Sequence, residues 1–248
     1  MIGYQEDLAY IHDSGFGDFA REAAPPLLAI LRRHHIRDGL VADLGCGSGI
    51  WARILCDEGY QVLGVDLSAA MIRLARRRAP QAQFLVASLF DAPLPPCRAV
   101  TAVSEALNYA FDRRNNPALI ARLFRKVFAA LDPGGVFLLD FAEPGQTGEG
   151  AVRQSFWDAE EWAVLLEARE DGLRHTLTRE ITTFRRTGKL FRRRDETHLL
   201  RLYEASAFTA ELQTIGFSVT VQKAWGRWKL PPAHSALIAR KPRRPIAG

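Results

Sequence analysis

The chain has 248 residues, 48% hydrophobic and 25% charged, enough to bury one large α/β core or two small ones. No apolar run approaches the ~18 residues of a membrane span. The opening "MIGYQEDLAY" also lacks the basic-then-apolar pattern of a secretory signal, so a cytoplasmic protein with no membrane partner is expected. Cys46, Cys56 and Cys97 are odd in number and without C-x-x-C spacing, which argues against a disulfide framework and against a metal site. The net charge of +5 keeps a polyanionic partner in view, because "RRTGKLFRRR" (185–194) holds six basic residues and no acidic one. That stretch reads either as a solvated hairpin or as a surface facing an anionic substrate or RNA.

Residues 1–38 predict two helices, broken at "DSGFG" and restarted at "APPLLAILRRHH", where proline suits a first turn. They form a helical cap and not a separate domain. From residue 39, apolar runs alternate with amphipathic stretches. Strands are expected at 39–44, 61–67, 82–88, 98–104 and 135–141, with helices at 49–59, 68–80 and 116–131. This rhythm builds a mostly parallel sheet covered on both faces. Residues 143–160 are turn-rich, after which period-two alternation with turns at 171–172 and 187–188 predicts antiparallel hairpins. A helix at 204–217 and two strand candidates, "SVTVQKAW" and "SALIARKP", close the chain.

"VADLGCGSGI" (41–50) runs from a strand into a glycine-rich turn and then a helix. Such a turn leaves backbone N–H groups and the positive end of a helix at the carboxyl edge of the sheet, open to a ligand. Dinucleotide loops space their glycines G-x-G-x-x-G, whereas here Gly45, Gly47 and Gly49 alternate, and Asp43 would repel a pyrophosphate. A zwitterionic ligand tolerates that acid, because its amino group can pair with the carboxylate while the loop amides take its own carboxylate. Asp66, 17 residues after Gly49, stands where a carboxylate accepts both ribose hydroxyls of an adenosine. The combination points to S-adenosylmethionine (SAM).

At these residues the sequence resembles the class I SAM-dependent methyltransferases over about 39–142. "VADLGCGSG" matches the first motif of that family, "GVDLS" the second, "VASLFDAPLP" the third position and "LDPGGVFLLDF" a late motif. The resemblance implies a Rossmann-like seven-stranded sheet, its last strand antiparallel, with SAM lying across the strand ends. It divides one methyltransferase domain into a cap (1–38), a SAM-binding core (39–142), a β-hairpin insertion over the acceptor site (143–203) and a closing helix with strands (204–248). It also implies that Asp43, Gly45, Cys46 and Gly47 line the methionine part, Asp66 the ribose, and Leu67 and Met71 the adenine. Ser88, followed by Leu89, stands where the third motif usually offers an aspartate to the adenine amino group. That departure leaves adenine recognition to a hydroxyl and backbone groups. "AVSEALNYAFD" (102–112) resembles the fourth motif of small-molecule members, with Glu105 and the "LNY" run (107–109) at the pocket floor, or Leu107 and Tyr109 simply in the core, and lacks the N-P-P-Y signature of exocyclic-amine enzymes. "YIHDSGFGDFA" resembles a cap closing over SAM, with Tyr10, His12, Phe16 and Phe19 as contacts.

Methyl transfer from a sulfonium needs alignment and desolvation and no dedicated nucleophile. An O or N acceptor of a small molecule that must lose a proton could use a base, and His12, His175 and His198 are available. On "DETHLLRLY" the alternation groups Arg201 with Tyr203, a pair that could hold a carboxylate or phenolate acceptor. Trp225 and Trp228 could wall the pocket or cover the sheet edge. The alternatives are an RNA methyltransferase, a non-catalytic SAM-binding protein and, more distantly, a dehydrogenase. Nucleic acid is not the expected partner, and a monomer or homodimer is expected.

Overall fold

The computed structural model describes residues 3–112, 115–148 and 150–243. Two cap helices, α1 (Glu6–Gly15) and α2 (Asp18–Arg33), precede the first sheet strand. The break falls at Phe16 and Gly17, and Pro25 and Pro26 lie inside α2, not at its start. A proline there removes an N–H that would bond four residues back. The carbonyls so released belong to Arg21 and Glu22, both exposed, where water can take them.

The core alternates β1 (Leu40–Leu44), α3 (Ile50–Asp57), β2 (Gln61–Asp66), α4 (Ala69–Arg78), β3 (Gln83–Val86), β4 (Cys97–Ala102), α5 (Pro117–Ala130) and β5 (Leu131–Ala142). Local chemistry sets several starts. The Ser68 hydroxyl accepts the Met71 N–H at the N-terminus of α4, and Asn116 accepts the Leu119 N–H ahead of Pro117 in α5. Between residues 150 and 201 the chain forms a four-stranded meander: β6 (Val152–Ala159), β7 (Trp162–Asp171), β8 (Thr176–Thr187) and β9 (Leu190–Arg201). The hairpins and their turns stand where the alternation placed them. Strand β6 was hidden in the turn-rich stretch because it is an edge strand exposed on nearly every residue, so it has no apolar face to read.

After α6 (Ala205–Ile215) come β10 (Ser218–Gln222), the short pair β11 (Ala224–Trp225) and β12 (Trp228–Lys229), and β13 (His234–Arg240). The main sheet has seven strands in the order β10-β13-β5-β4-β1-β2-β3. The five early strands pair in parallel and β13 runs antiparallel to both neighbours, the expected Rossmann-like arrangement. One face packs on α2, α3 and α4 through Leu27, Leu31, Trp51, Leu55 and Ile72. The other packs on α5 and α6 through Phe124, Phe137, Phe141, Phe208 and Leu212. No helix among the described residues is long and apolar enough to cross a membrane.

Buried Asn108, in the loop after β4, ties the meander to the sheet. Its amide group donates to the carbonyls of Ala142 (2.9 Å) and Arg201 (2.6 Å), and its carbonyl accepts the Ala142 N–H (3.0 Å). Every polar atom of the side chain is satisfied, which is what a fully buried amide requires. Beside it, the Ala110 N–H donates to the Leu199 carbonyl. The inner face of the meander therefore sits over the carboxyl ends of β1, β4 and β5.

Candidate active site

A cavity of about 570 Å³ opens between those strand ends, the cap and the meander. The glycine loop supplies one wall. Gly45 and Gly47 both have positive φ (76° and 52°), and Gly45 lies so close to Ala106 that an added Cβ would sit 2.5 Å from it. Above Gly47 the space is open, so nothing in the protein fills the place a side chain would take. Asp66 organises the loop: its carboxylate accepts the Gly47 N–H (2.9 Å) and the Ser68 N–H (2.8 Å).

Asp43, at the end of β1, is buried and accepts one hydroxyl hydrogen bond, from Thr101 at 2.7 Å. Burial pushes its carboxyl up to about 7, with nearby Asp66 adding to the rise. A buried acid so poorly compensated is primed for a cationic ligand group. The open cradle, the two acids and the loop amides fit a zwitterionic nucleoside.

The cavity lining includes Asp43, Gly45, Cys46, Gly47, Asp66, Leu67, Met71, Ser88, Leu89 and Glu105 together. Of the residues expected to contact the cofactor, Tyr10 is the exception. Leu8, His12 and Phe16 recur every four residues on the face of α1 that lines the cavity, and Tyr10 lies about 200° from Leu8 around the helix. Its ring is instead covered by the Arg185 guanidinium at 3.9 Å.

The far end of the cavity is aromatic, with Tyr4, Phe16, Phe19, Tyr109, Phe111 and Trp157 on its walls. Its charged centre was not legible as a unit, because Glu105, Arg179 and His234 come from a loop, the meander and the last strand. The Arg179 guanidinium grips the Glu105 carboxylate at 2.7 and 3.0 Å, and the His234 Nε2 lies 2.6 Å from the same group. His234 Nδ1 faces the Pro232 carbonyl at 2.8 Å, so both ring nitrogens meet acceptors and the ring is held as an imidazolium. Despite burial, Arg179 and His234 hold the Glu105 carboxyl down at about 2. Ser104 and Glu105 both have φ near 60°, strain that is held in place as the Glu105 N–H donates to Asp140 (3.0 Å).

Both cavity-lining histidines of the sequence reading pack against the Tyr4 ring, His12 at 5.2 Å and His198 at 5.0 Å between centroids. His198 on β9 has its Nε2 3.0 Å from the Glu196 carboxylate, which assigns the proton to Nε2 and leaves Nδ1 as the basic nitrogen. Glu196 also accepts the N–H groups of Tyr4 (2.8 Å) and Gln5 (2.9 Å). His12 has a buried Nδ1 without a hydrogen-bond partner among the described residues, and burial lowers the ring to about 4, so it is a neutral imidazole.

The remaining candidates fall elsewhere. The Tyr203 hydroxyl donates to Asn115 (2.9 Å), its ring packs on Phe208 within the sheet core, and burial raises it to about 12, so it presents no phenolate to the cavity. Arg201 donates to the Asn115 carbonyl, and His175 sits in the β7–β8 turn away from the cavity lining. Trp225 is fully buried and donates to Asp140 beneath the floor, while Trp228 stacks edge-on with Phe19 and donates to Glu22. In the basic hairpin, Arg185 and Arg192 converge on buried Asp7 of α1, Arg193 pairs with Asp195, and Arg186 with Glu161. Two of its six basic residues thus fasten the meander to the cap, and two pair within the meander.

The methyltransferase domain family matches residues 41–135, the stretch holding the glycine loop, both acids and the strand that leads to Glu105. That stretch is a methyltransferase domain of the class I SAM-dependent type. A chain of Bacillus subtilis (strain 168) named as a methyltransferase, YqeM, is 26% identical over 194 residues, 73% of this chain and 74% of its own. The dTDP-3-amino-3,6-dideoxy-α-D-glucopyranose N,N-dimethyltransferase of Streptomyces fradiae is 32% identical over 160 residues, 60% of this chain and 61% of its own. A SAM-dependent methyltransferase from Clostridium acetobutylicum shares the fold, with a TM-score of 0.79 at 17% identity over 94% of this chain and 97% of that one. As a methyltransferase, this chain takes SAM as its cofactor, and the acids and open loop above are the residues that fit it.

Proposed function

We propose that this methyltransferase acts on an O or N atom of a small molecule held between the cap and the meander, with His198 as the group that takes the acceptor's proton. The single observation that carries this reading is His198 on the cavity wall, paired with Glu196: a carboxylate fixes the tautomer, and the other ring nitrogen has no protein partner among the described residues. That is the base-and-orienter arrangement of general-base catalysis.

In this reading, Asp43 takes the amino group of SAM, the amides of the glycine loop take its carboxylate, and Asp66 takes its ribose hydroxyls. When bound, SAM supplies an activated methyl on a sulfonium. The aromatic walls exclude water from the acceptor end, and holding the acceptor in line supplies roughly 7–11 kcal/mol of the barrier. His12, neutral and adjacent, offers a hydrogen bond without bringing a second positive charge. Supporting a small acceptor are the largely apolar cavity and the N-methyltransferase relative, which acts on a sugar nucleotide.

The test is transfer of labelled methyl from SAM to a panel of small amines, hydroxy compounds and carboxylic acids, with total RNA as a parallel arm. Transfer to a small acceptor is expected, with His198→Gln lowering kcat by about 10²- to 10⁴-fold while S-adenosylhomocysteine still binds. Transfer to RNA alone, or a His198→Gln enzyme of unchanged kcat, overturns the reading.

A further inference from the structure

The inner face of the meander carries a row of side chains that crosses all four strands. Arg153 on β6 lies opposite Ala168 on β7, Ala168 opposite Arg179 on β8, and Arg179 opposite His198 on β9. Arg153, Arg179 and His198 all line the cavity. Neighbouring strands lie about 4.8 Å apart, so the two arginines stand about 10 Å from each other along the row, with His198 one strand beyond Arg179. Ala168 between them has only a methyl side chain, so the row places no bulk between the two arginine stems. In the adjacent row, Leu166 and Ile181 lie opposite each other and line the cavity with apolar surface.

Both guanidiniums keep donors unused. Glu105 takes Nη1 and Nη2 of Arg179, whereas its Nε is buried without a hydrogen-bond partner among the described residues. A buried donor left unpaired is costly, and more so on a charged group. Arg153 pairs with no acid among the described residues and reaches only the Gln146 carbonyl, at 3.5 Å. Its side chain is open to solvent, so an entering ligand meets it first. A charge that merely guards an exposed edge strand belongs on the outward-facing set of side chains. Arg153 instead shares the inward face with Trp157, which also lines the cavity. The planar guanidinium matches carboxylate and phosphate geometry, and two of them flanking a gap suit one anionic group.

We propose that the acceptor of this methyltransferase carries an anionic group, a carboxylate or a phosphate, which binds between Arg153 and Arg179 while the reacting O or N atom faces His198. This rests on the reading of a small acceptor beside His198 given above. The row also bounds the acceptor's length: its anion and its reacting atom are separated by one to two strand spacings, about 5–10 Å, with the body of the molecule on Leu166 and Ile181.

The test reads binding and needs no turnover. Succinate, inorganic phosphate and the uncharged succinamide are titrated into the chain loaded with S-adenosylhomocysteine, and the arginine Nε–H signals are followed by NMR. One of the two anions is expected to bind at least tenfold more tightly than succinamide and to shift the Arg179 Nε–H signal, and the tighter anion tells carboxylate from phosphate. Arg153→Gln, a change on an exposed edge strand, is expected to weaken that anion at least fivefold and Arg153→Glu to abolish its binding, with the affinity for S-adenosylhomocysteine unchanged. Anions that bind no better than succinamide, or that bind Arg153→Glu as tightly as the wild type, overturn the proposal. Transfer to small acceptors alongside that result would leave the acceptor reading standing. Anion binding in a His198→Gln chain whose kcat is unchanged would instead overturn the role of His198 and keep the anion site.

Discussion

Glu196 and His198 lie two residues apart on β9, and one carboxylate oxygen of Glu196 receives both the His198 ring (3.0 Å) and the Tyr4 backbone N–H (2.8 Å). The acid that fixes the histidine tautomer therefore also holds down the N-terminal segment. The Tyr4 carbonyl in turn accepts the Ser68 hydroxyl, and the Tyr4 phenol meets that of Tyr109 at 2.8 Å. Residues 3–5 are thus stitched to the sheet core, the meander and the loop after β4 at once.

Glu196→Gln keeps the shape but weakens charge-assisted bonds to three partners, each worth about 1.5–3 kcal/mol in its ionised form. The amides of Tyr4 and Gln5 are expected to exchange with deuterium at least tenfold faster, and S-adenosylhomocysteine to dissociate faster, while the global unfolding midpoint moves little. Native-like protection at Tyr4 and Gln5 in the variant would show that Glu196 does not hold the segment.

With Asp43 taking the amino group of SAM, as proposed, cofactor affinity depends on pH. Its carboxyl is raised from the ordinary range to about 7, so the protein without ligand carries it half protonated near neutrality. Pairing with the ligand's ammonium requires the ionised form. The ionised fraction rises about tenfold between pH 6 and pH 8, and SAM affinity is expected to rise by a similar factor, with proton release on binding. The sign for stability is opposite. An acid whose folded value is raised binds more protons folded than unfolded, so the ligand-free protein loses stability as pH climbs from about 4 to 7. Asp140, raised to about 6, adds to this in the same direction. Calorimetry in buffers of differing ionisation heat reads the proton release, and Asp43→Asn should flatten the affinity profile.

That the residues expected at the cofactor would share one cavity was legible because they sit on consecutive strand ends. Asp43, Gly45, Gly47 and Asp66 follow β1 and β2 directly, so strand-turn-helix periodicity places them without any long-range information. The acceptor half was not, because it is assembled across 74 residues between Glu105 and Arg179 and 129 between Glu105 and His234. Arg179 looked like any alternating residue of an arginine-rich hairpin. Only the register of β8 against β9, which sets Arg179 opposite His198, turns it inward. Tyr10 and Tyr203 failed for a local reason. A motif supplies the right segment, but the helix face or the end of the strand decides which side chain reaches the cavity.

The glycine at 47 gives the most direct check on the cofactor loop. An alanine there meets no atom within 4 Å, so packing alone would permit it, but φ of 52° strains any L residue and its methyl would enter the space left for ligand. Gly47→Ala is expected to lower stability by about 1 kcal/mol and SAM affinity by more than tenfold. Asp66→Ala, which strips the Gly47 and Ser68 N–H groups of their acceptor, should cost a similar factor in affinity. Equal affinity in either variant, measured on folded protein, would remove that residue from the binding site.

Glu105 and Arg179 form a largely buried pair, with 15% of each side chain exposed. Removing one partner strands the other, and such losses run to about 3–5 kcal/mol, well beyond what the intact pair contributes. Glu105→Gln should therefore destabilise the chain by about 3 kcal/mol, since the buried Arg179 guanidinium loses its counter-charge and, among the described residues, its other hydrogen bond is to the Tyr109 hydroxyl at 3.5 Å. Arg179→Met is expected to do less harm, because His234 remains on Glu105 and the methionine stem fills the apolar surroundings. The pH behaviour separates this ion pair from simple packing. Glu105 is depressed to about 2, so its contribution is complete above its ordinary value near 4.5 and is lost as pH falls through about 2. His234 is raised by the same carboxylate, so its contribution is complete below 6.5 and is lost as pH rises through its shifted value. The Glu105–His234 contact thus stabilises most between about pH 4.5 and 6.5, while the Arg179 contact persists above it. Urea midpoints measured from pH 3 to 8 should converge for wild type and Glu105→Gln toward the acid end, and a constant offset across that range would show that charge is not what holds the two side chains together.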